Sequence, residues 1–366
     1  MILKGKYNEA VVFTENLEEG SKNQIVDLLN EEFTKGSKIR IMPDVHVGAG
    51  SVIGTTMTII DKAVPNLVGV DIGCGLIVLK LEDKHIDFHE LDNNIKRLIP
   101  SGFKVRNKPH PMAEKTKIED LRCRASVDIE RGYKSIGTLG GGNHFIEINE
   151  DEEGNKYLVI HSGSRNIGYQ TAKYYQDLAF ETLKRRGLNI NRNLAYLEGD
   201  NLDDYLHDMQ IIQEYAYINR KTMADVIVRA MNFKVIEEFQ TIHNYIDMER
   251  MILRKGAVSA EKDEKFIIPL NMRDGSILLR GKGNENWNFS APHGAGRVMS
   301  RTEARKKINL KDFRKTMKDV HSSSVSRKTI DEAPMAYKKP EDILDYIDET
   351  AEVLSMIKPL YNFKAD

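Results

Sequence analysis

In its first third the chain is written in short apolar runs that glycine and proline cut off before they reach helical length: KIRIMPDV, VIGTTMTII and LVGVDIGCGLIVLKL. Their length and β-branched content predict strands rather than helices. KYLVIHSGS is a further strand that ends in a loop, and FIIPLNM and GSILL predict two more near residue 270. Between them the texture changes. From about Asp203 to Phe239, the residues Leu206, Met209, Ile212 and Ala216 recur at three- and four-residue spacing, which predicts a helix that Asp203 or Asp204 would cap. A further helix is predicted from about Pro340 to Ile357. With no internal repeat and no low-complexity linker, the pattern is that of an α+β fold. The expectation is a single domain over residues 1–366, its central β-sheets forming a layered core, flanked and interrupted by helices, with a mainly helical block at about residues 170–250. The alternative is two domains divided near residue 180.

Composition narrows the function classes. A chain of 366 residues can bury a substantial core without a partner. Lysine plus arginine (54) nearly balances aspartate plus glutamate (55), so no global basic field advertises nucleic-acid binding, and any polyanion must be held locally. The two cysteines, Cys74 and Cys123, lie far apart with no CxxC pair. That argues against a disulfide framework and against a structural zinc finger, and a reducing interior fits best. The N-terminal MILKGKYNEAVVF lacks the long apolar core of a signal peptide, and no apolar run approaches the roughly 18 residues of a membrane helix. The expected location is the cytoplasm, with no membrane association.

Five short segments join glycine to a residue able to bind metal or move a proton, each expected where a strand runs out: MPDVHVGAG, GVDIGCGL, GTLGGGNHFIEI, VIHSGSRNIG and APHGAGRVMSR. Sites accumulate in loops at strand ends. One histidine in one glycine turn is ordinarily a polar loop residue; the repetition is what points to function. In VGVDIGCGL, Asp71 stands three residues before Cys74, whose neighbours Gly73 and Gly75 leave room for close approach. A buried, inert cysteine is the plain alternative. A thiolate can bridge two cations, and a nearby carboxylate can complete the shell of one. His144, His161 and His243 are candidate nitrogen ligands, spread along the chain as in catalytic rather than structural sites. The softness of a thiolate favours Zn²⁺.

His293, in FSAPHGAGRVMSR, is followed by glycine, alanine and glycine and then by Arg297. Such a loop suits phosphate, through exposed amide donors and a fixed guanidinium. It is no Walker loop, because no GxxxxGK[ST] occurs in the chain. The imidazole could attack phosphorus as a nucleophile or bind a metal, and composition leaves both open.

Taken in order and spacing, MPDVHVGAG, GVDIGCG, GTLGGGNHFIE, HSGSR, the His243–Asn244 pair and SAPHGAGRVMSR resemble the motifs of the RtcB-type RNA-splicing ligases, from about residue 40 to the C-terminus. The resemblance implies an RtcB-like fold and an enzyme of RNA repair or tRNA splicing. Such an enzyme joins an RNA 3′-phosphate or 2′,3′-cyclic phosphate end to a 5′-hydroxyl end, using GTP and two Mn²⁺ ions, and on the metal the resemblance overrides the argument from softness. It implies that Cys74 bridges the two ions, with Asp71 and His144 completing one site and His161 and His243 the other. His293 would be the catalytic nucleophile that takes GMP from GTP, and Asp44 a general base near the incoming 5′-hydroxyl. The nucleotide would be held by Asn143, His144, Phe145, Ile146 and Glu147, by His243 and Asn244, and by Pro269, Leu270, Asn271 and Met272. Ser276, the loop His293, Gly294, Ala295 and Gly296, and Lys364 complete that set, while Arg131, Arg165 and Arg301 would grip RNA phosphates. An activating protein of the archease type is the implied partner, and a monomer the family-like state.

Two departures from the family pattern bear on substrate range. Leu270 and Asn271 follow Pro269 where many relatives carry Gly-Ser, and Asn166 replaces the usual glycine after HSGSR, at an expected positive-φ position. The alternative functions are a binuclear metal-dependent phosphoesterase or an end-capping guanylyltransferase that acts on nucleic-acid ends without sealing them, and a non-enzymatic RNA-binding module. His85, His89, His110, His207 and His321 match no motif and read as ordinary residues. Cys123 reads as structural, and Trp287 and Phe289 as packing residues, with base stacking as the alternative.

Overall fold

The apolar runs assemble into two large sheets in a computed structural model that describes residues 1–365. The six-stranded sheet has the order Ile2–Lys4, Glu9–Val12, Ile39–His46, Ile53–Thr58, Ile252–Lys255, Asn244–Asp247. The seven-stranded sheet has the order Val235–Ile242, Gly75–Leu81, Lys156–Ser162, Phe145–Glu150, Ala351–Lys364, Gly275–Gly281, Lys265–Asn271. All its neighbours run antiparallel. This sheet curls until its two edges meet, where the backbone N–H of Ile267 donates to Thr241 Oγ1 at 3.1 Å.

Alternation along the strands gives the curl two apolar faces. Ile77, Leu79, Ile146, Ile148, Leu158 and Ile160 turn outward, against Leu91 and Ile95 of the helix Phe88–Leu98 and Met223, Ala224 and Ile227 of the helix Asp200–Met231. Leu76, Val78, Phe145, Tyr157, Val159, Ile267, Leu278 and Ile357 fill the inside. Burial on both faces is why GLIVLKL reads as a near-continuous apolar run. The N-terminal half of the long helix serves the other core: Tyr205, Met209, Ile212 and Tyr215 cluster with Ile39, Ile41 and Leu253 of the six-stranded sheet and with Ile25, Leu28 and Leu29 of the helix Glu19–Leu29. One helix therefore ties both sheets together in an α+β architecture.

Two predicted helices divide into helix plus strand. The segment expected from Asp203 to Phe239 is helical over Asp200–Met231, entered through Gly199 without a side-chain cap and closed by the left-handed Asn232. Asp200 and Asp203 still lie in its first turn, where carboxylates suit the helix dipole. Beyond it, Val235–Ile242 is an edge strand on Gly75–Leu81. The segment expected from Pro340 to Ile357 is helical only over Glu341–Ile347, and Ala351–Lys364 becomes a strand between two partners. Its Pro359 has no N–H to give a ladder, and it sits at a register shift where none is needed. In LVGVDIGCGLIVLKL only Gly75–Leu81 is extended; a short 3₁₀ turn, Pro65–Leu67, and a loop precede it.

Candidate active site

Antiparallel pairing gathers the motifs at one end of the curled sheet. Gly75 pairs with Ser162 and with Ile242, and Phe145 pairs with His161 and with Lys364. Cys74 and His144 thus sit just before their strands, His161 near the end of its strand, and His243 just after the edge strand. Not every motif lies where a strand runs out, as the sequence suggested. Strands of opposite direction bring one strand's start beside its neighbour's end.

Cys74 Sγ lies 3.4 Å from His144 Nε2 and 3.3 Å from His161 Nε2. Asp71 Oδ2 is 3.0 Å from the same His144 nitrogen. His144 Nδ1–H donates to the Leu139 carbonyl at 2.9 Å, and His161 Nδ1–H to the Asn143 carbonyl at 3.3 Å. A carbonyl can only accept, so it selects the tautomer whose bare Nε2 faces the thiol, as metal-ligating histidines require. Burial holds His161 and His243 well below the usual imidazole range, and therefore neutral. Burial works against ionisation of Asp71, but its close contact with His144, backed by the Cys74 thiol and the Arg165 charge, brings its carboxyl down to about 2. Burial, reinforced by the Asp71 charge, pushes the Cys74 thiol well up. His243, its ring 5.2 Å from that of His161, has a buried Nδ1 with no hydrogen-bond partner. A cation fits this donor set: it would occupy the lone pairs converging from His144 and Asp71, satisfy the orphaned nitrogen and favour loss of the thiol proton. Gly163 makes the arrangement possible, since a Cβ there would stand 2.1 Å from Asp71 Oδ1.

His293 follows the strand Ser290–Pro292, which pairs with Ala257–Ser259. Its Nδ1 lies 2.6 Å from Asp44 Oδ2, and its backbone N–H donates to the same oxygen at 3.1 Å. Asp44 is 0% exposed, so it lies beneath His293 instead of facing an incoming hydroxyl as the sequence reading had it. The carboxylate fixes the proton on Nδ1 and leaves Nε2 bare. Gly296, at φ 75°, lets the loop pass close over Asp44, because a Cβ would stand 2.8 Å from the Asp44 carbonyl oxygen. The guanidinium of Arg297 donates to the Met299 and Asp331 carbonyls and the Tyr337 hydroxyl, so it frames the loop more than it stands ready for phosphate.

Both groups open on one cavity of about 320 Å³, a ligand-sized space. Of the residues expected to hold a nucleotide, Asn143, Phe145, Glu147, His243, Asn244, Pro269, Leu270, Asn271, Met272, the loop His293 to Gly296 and Lys364 line it. Ile146 does not; strand alternation turns it to the outer face, where it is 0% exposed in the core. Ser276 is likewise buried outside the lining, and His144 stands behind it in the thiol cluster. Asn271 caps its own turn by accepting from the N–H groups of Arg273 and Asp274. Burial raises the Glu147 carboxyl to about 7, though Asn362 and Asn149 donate to it. Lys364 Nζ bridges the Asn143 carbonyl (3.1 Å) and Glu332 Oε2 (3.0 Å). Glu332, Tyr337 and His46 also line the cavity, and sequence reasoning missed them. None stands in a glycine-rich segment except His46, hidden in PDVHVG behind the more obvious Asp44.

Arg131, Arg165 and Arg301 come together in a neighbouring groove. The left-handed residue near HSGSR is Arg165, at φ 59°, and not Asn166. Strain of that kind in a side chain with a Cβ collects at functional positions. Trp287, in contrast, is 2% exposed and stacks on Phe13, so it packs.

Fold and site together define a class: an α+β protein with a thiol–histidine centre fit for metal, beside a ligand cavity that holds an oriented histidine. The family described as tRNA-splicing ligase RtcB matches residues 31–128 and 109–365. An RNA-splicing ligase RtcB of Escherichia coli K12 is 34% identical over 363 residues, covering 87% of this chain and 88% of its own. A tRNA-splicing ligase RtcB of Aeropyrum pernix is 26% identical over 404 residues, covering 86% and 83%. An RNA-splicing ligase RtcB homolog 2 of Entamoeba dispar is 26% identical over 414 residues, covering 87% and 79%. The chain belongs to the RtcB family. Among the described residues no helix is long and apolar enough to cross a membrane.

Proposed function

We propose that this protein is an RNA ligase that joins a 3′-phosphate or 2′,3′-cyclic phosphate end to a 5′-hydroxyl end by way of GMP carried on His293. The observation that carries the reading is the 2.6 Å contact of His293 Nδ1 with the buried Asp44 carboxylate, at a cavity shared with the thiol–histidine cluster. The names of the relatives support RNA and ligation; GTP and manganese rest on the motifs.

Nε2 of His293 attacks the α-phosphorus of GTP; the N–P bond forms as the bond to pyrophosphate breaks, and pyrophosphate leaves. Asp44 is a positioning residue that holds the tautomer and stabilises the charge growing on the ring. The RNA 3′-phosphate then displaces the imidazole and takes GMP, forming an anhydride. The 5′-hydroxyl attacks that phosphate, loses its proton and expels GMP. A cyclic phosphate is first opened by water. Asp71, Cys74, His144, His161 and His243 would hold two Mn²⁺ ions, which supply charge neutralisation at phosphoryl oxygens and orientation of the reacting groups. Arg131, Arg165 and Arg301 position the RNA phosphates. On this reading residues 1–366 form one ligase domain, a cytoplasmic monomer served by an archease-type activator.

Incubation with α-labelled GTP and Mn²⁺ leaves acid-labile label on the wild type and none on His293→Ala. RNA bearing 3′-phosphate and 5′-hydroxyl ends is sealed only with GTP. Turnover of the ends without GTP, or a capped RNA that is never joined, would replace this reading with one of the alternatives.

A further inference from the structure

Phe103 is 96% exposed, the most exposed of the large apolar side chains described. Its backbone is the opposite of loose. Gly102 N–H donates to the Gly140 carbonyl at 2.8 Å and Lys104 N–H to the Ser101 carbonyl at 3.2 Å. Two arginines then grip the turn: Arg165 Nη2 donates to the Gly102 carbonyl and Arg131 Nη2 to the Phe103 carbonyl, each at 2.9 Å. The ring packs on almost nothing, yet it is presented from a pinned turn.

Phe103 lines a groove of about 820 Å³ with Lys104, Arg131, Arg165 and a second aromatic, Tyr169, which is 46% exposed. A single exposed apolar side chain is ordinary. Two aromatics set among cations in one groove are a different pattern. Arg301 and Arg305 are neutralised by Asp331 and Glu332. Among the described residues, Arg131 and Arg165 bond only carbonyl and hydroxyl oxygens and pair with no carboxylate. The charge of Arg131 stays available to phosphate, and that of Arg165 is offset only by the more distant Asp71 carboxylate.

The groove adjoins the cavity. Arg301 and Glu332 line both, Gly142 lines the groove while Asn143 lines the cavity, and Ala365 and Lys364 divide in the same way. The wall between them is one residue thick. A strand whose terminal phosphate lies at the cavity has this groove as a neighbouring surface to lie along, past two guanidinium groups without an ion-pair partner and a bare ring. Aromatic faces and backbone-tracking cations are how single strands are held, with little regard to sequence.

We propose that Phe103 stacks a base of the RNA strand whose terminal phosphate enters the cavity, while Arg131 and Arg165 hold the phosphates beside it. This rests on the RNA-ligase reading and adds to it a base-stacking subsite outside the catalytic cavity.

The test uses the full chain and fluorescence anisotropy with a short single-stranded RNA ending in a 3′-phosphate. Phe103→Ala lowers affinity by about tenfold, and Phe103→Trp retains it. Because the ring buries so little, Phe103→Ala melts at the wild-type temperature. The same RNA made abasic in its last few nucleotides binds wild type and Phe103→Ala equally, at the weaker level. Equal affinity of wild type and Phe103→Ala for the base-bearing RNA overturns the proposal, as does full-strength binding of the abasic RNA. The parent reading is scored separately on the wild type. Label from GTP and sealed RNA, with affinity indifferent to Phe103, sink the stacking subsite alone; no label and no sealing remove the ligase reading itself.

Discussion

The cavity and the groove use the same device to opposite ends. In both, a chemically active side chain is tied down by backbone carbonyls: His144 and His161 by Leu139 and Asn143, Arg165 and Arg131 by Gly102 and Phe103. On an imidazole, one carbonyl selects the tautomer and so dictates what the other nitrogen can do. On a guanidinium, with its five N–H groups, one carbonyl fixes position and leaves the charge and the remaining donors free. The cavity is thereby made ready for bond making by buried nitrogens that present a bare lone pair. The groove is made ready for holding an anion in water, an attraction that salt weakens.

That contrast is most exposed at Asp44. Asp44→Asn keeps the shape but offers an amide to His293, which no longer selects the Nδ1–H tautomer; adduct formation from α-labelled GTP slows by roughly 10³–10⁴-fold. A slowing of less than tenfold would detach Asp44 from the reaction.

Glu147 tests burial in the cavity. Its carboxyl is raised to about 7 by burial, from 4.5. Between those values the native state keeps a proton that the unfolded chain has released. The stability it lends is full below the lower value and lost as pH rises through the upper one. Glu147→Gln has no such loss. Urea denaturation from about pH 4 to about pH 8 should show wild type losing roughly 3 kcal/mol relative to the variant. A pH-independent difference would mean that Glu147 is solvated.

The metal fit can be read without any activity. Mn²⁺ at about 100 times its dissociation constant stabilises the wild type by roughly 2.7 kcal/mol, seen as a rise in melting temperature that a chelator reverses. Cys74→Ala loses that rise; a variant stabilised as much as wild type removes the thiol from the centre. The smallest effect belongs to the groove. Arg131→Ala reduces the slope of log affinity for single-stranded RNA against log salt by about 0.7, the amount for one phosphate contact. An unchanged slope would show that Arg131 touches no phosphate.

Much of this site was legible as letters. Asp71, Cys74, His144 and His161 stood out because glycines and a short apolar run mark each of them, and both signals are local; His243 has no glycine near it and stood out through the family resemblance. Their assembly was not legible, because it depends on the pairing of Gly75 with Ser162 and of Phe145 with His161. VIEEF, the first part of the strand Val235–Ile242, was read as the tail of a helix, because spacing over so few residues serves either period. Its partner, Gly75–Leu81, decided the matter. The last segment was read as a helix only to Ile357; a proline ordinarily speaks against a central strand, and only a register shift admits Pro359 there. Phe103 carried no motif, and its meaning comes from the arginines that surround it in space.

By itself the sequence determined the strand-rich character, the donor residues, the glycine turns that admit close approach and the resemblance to a ligase family. These are properties of short windows, where propensity and chemistry act within a few residues. Tertiary structure alone decided that Asp44 lies beneath His293, that Glu332 meets Lys364, and that the arginines flank a bare aromatic ring. Residues from 28 to 249 positions apart meet there through the packing of loops, strands and short helices, and no local pattern encodes which of them will be neighbours.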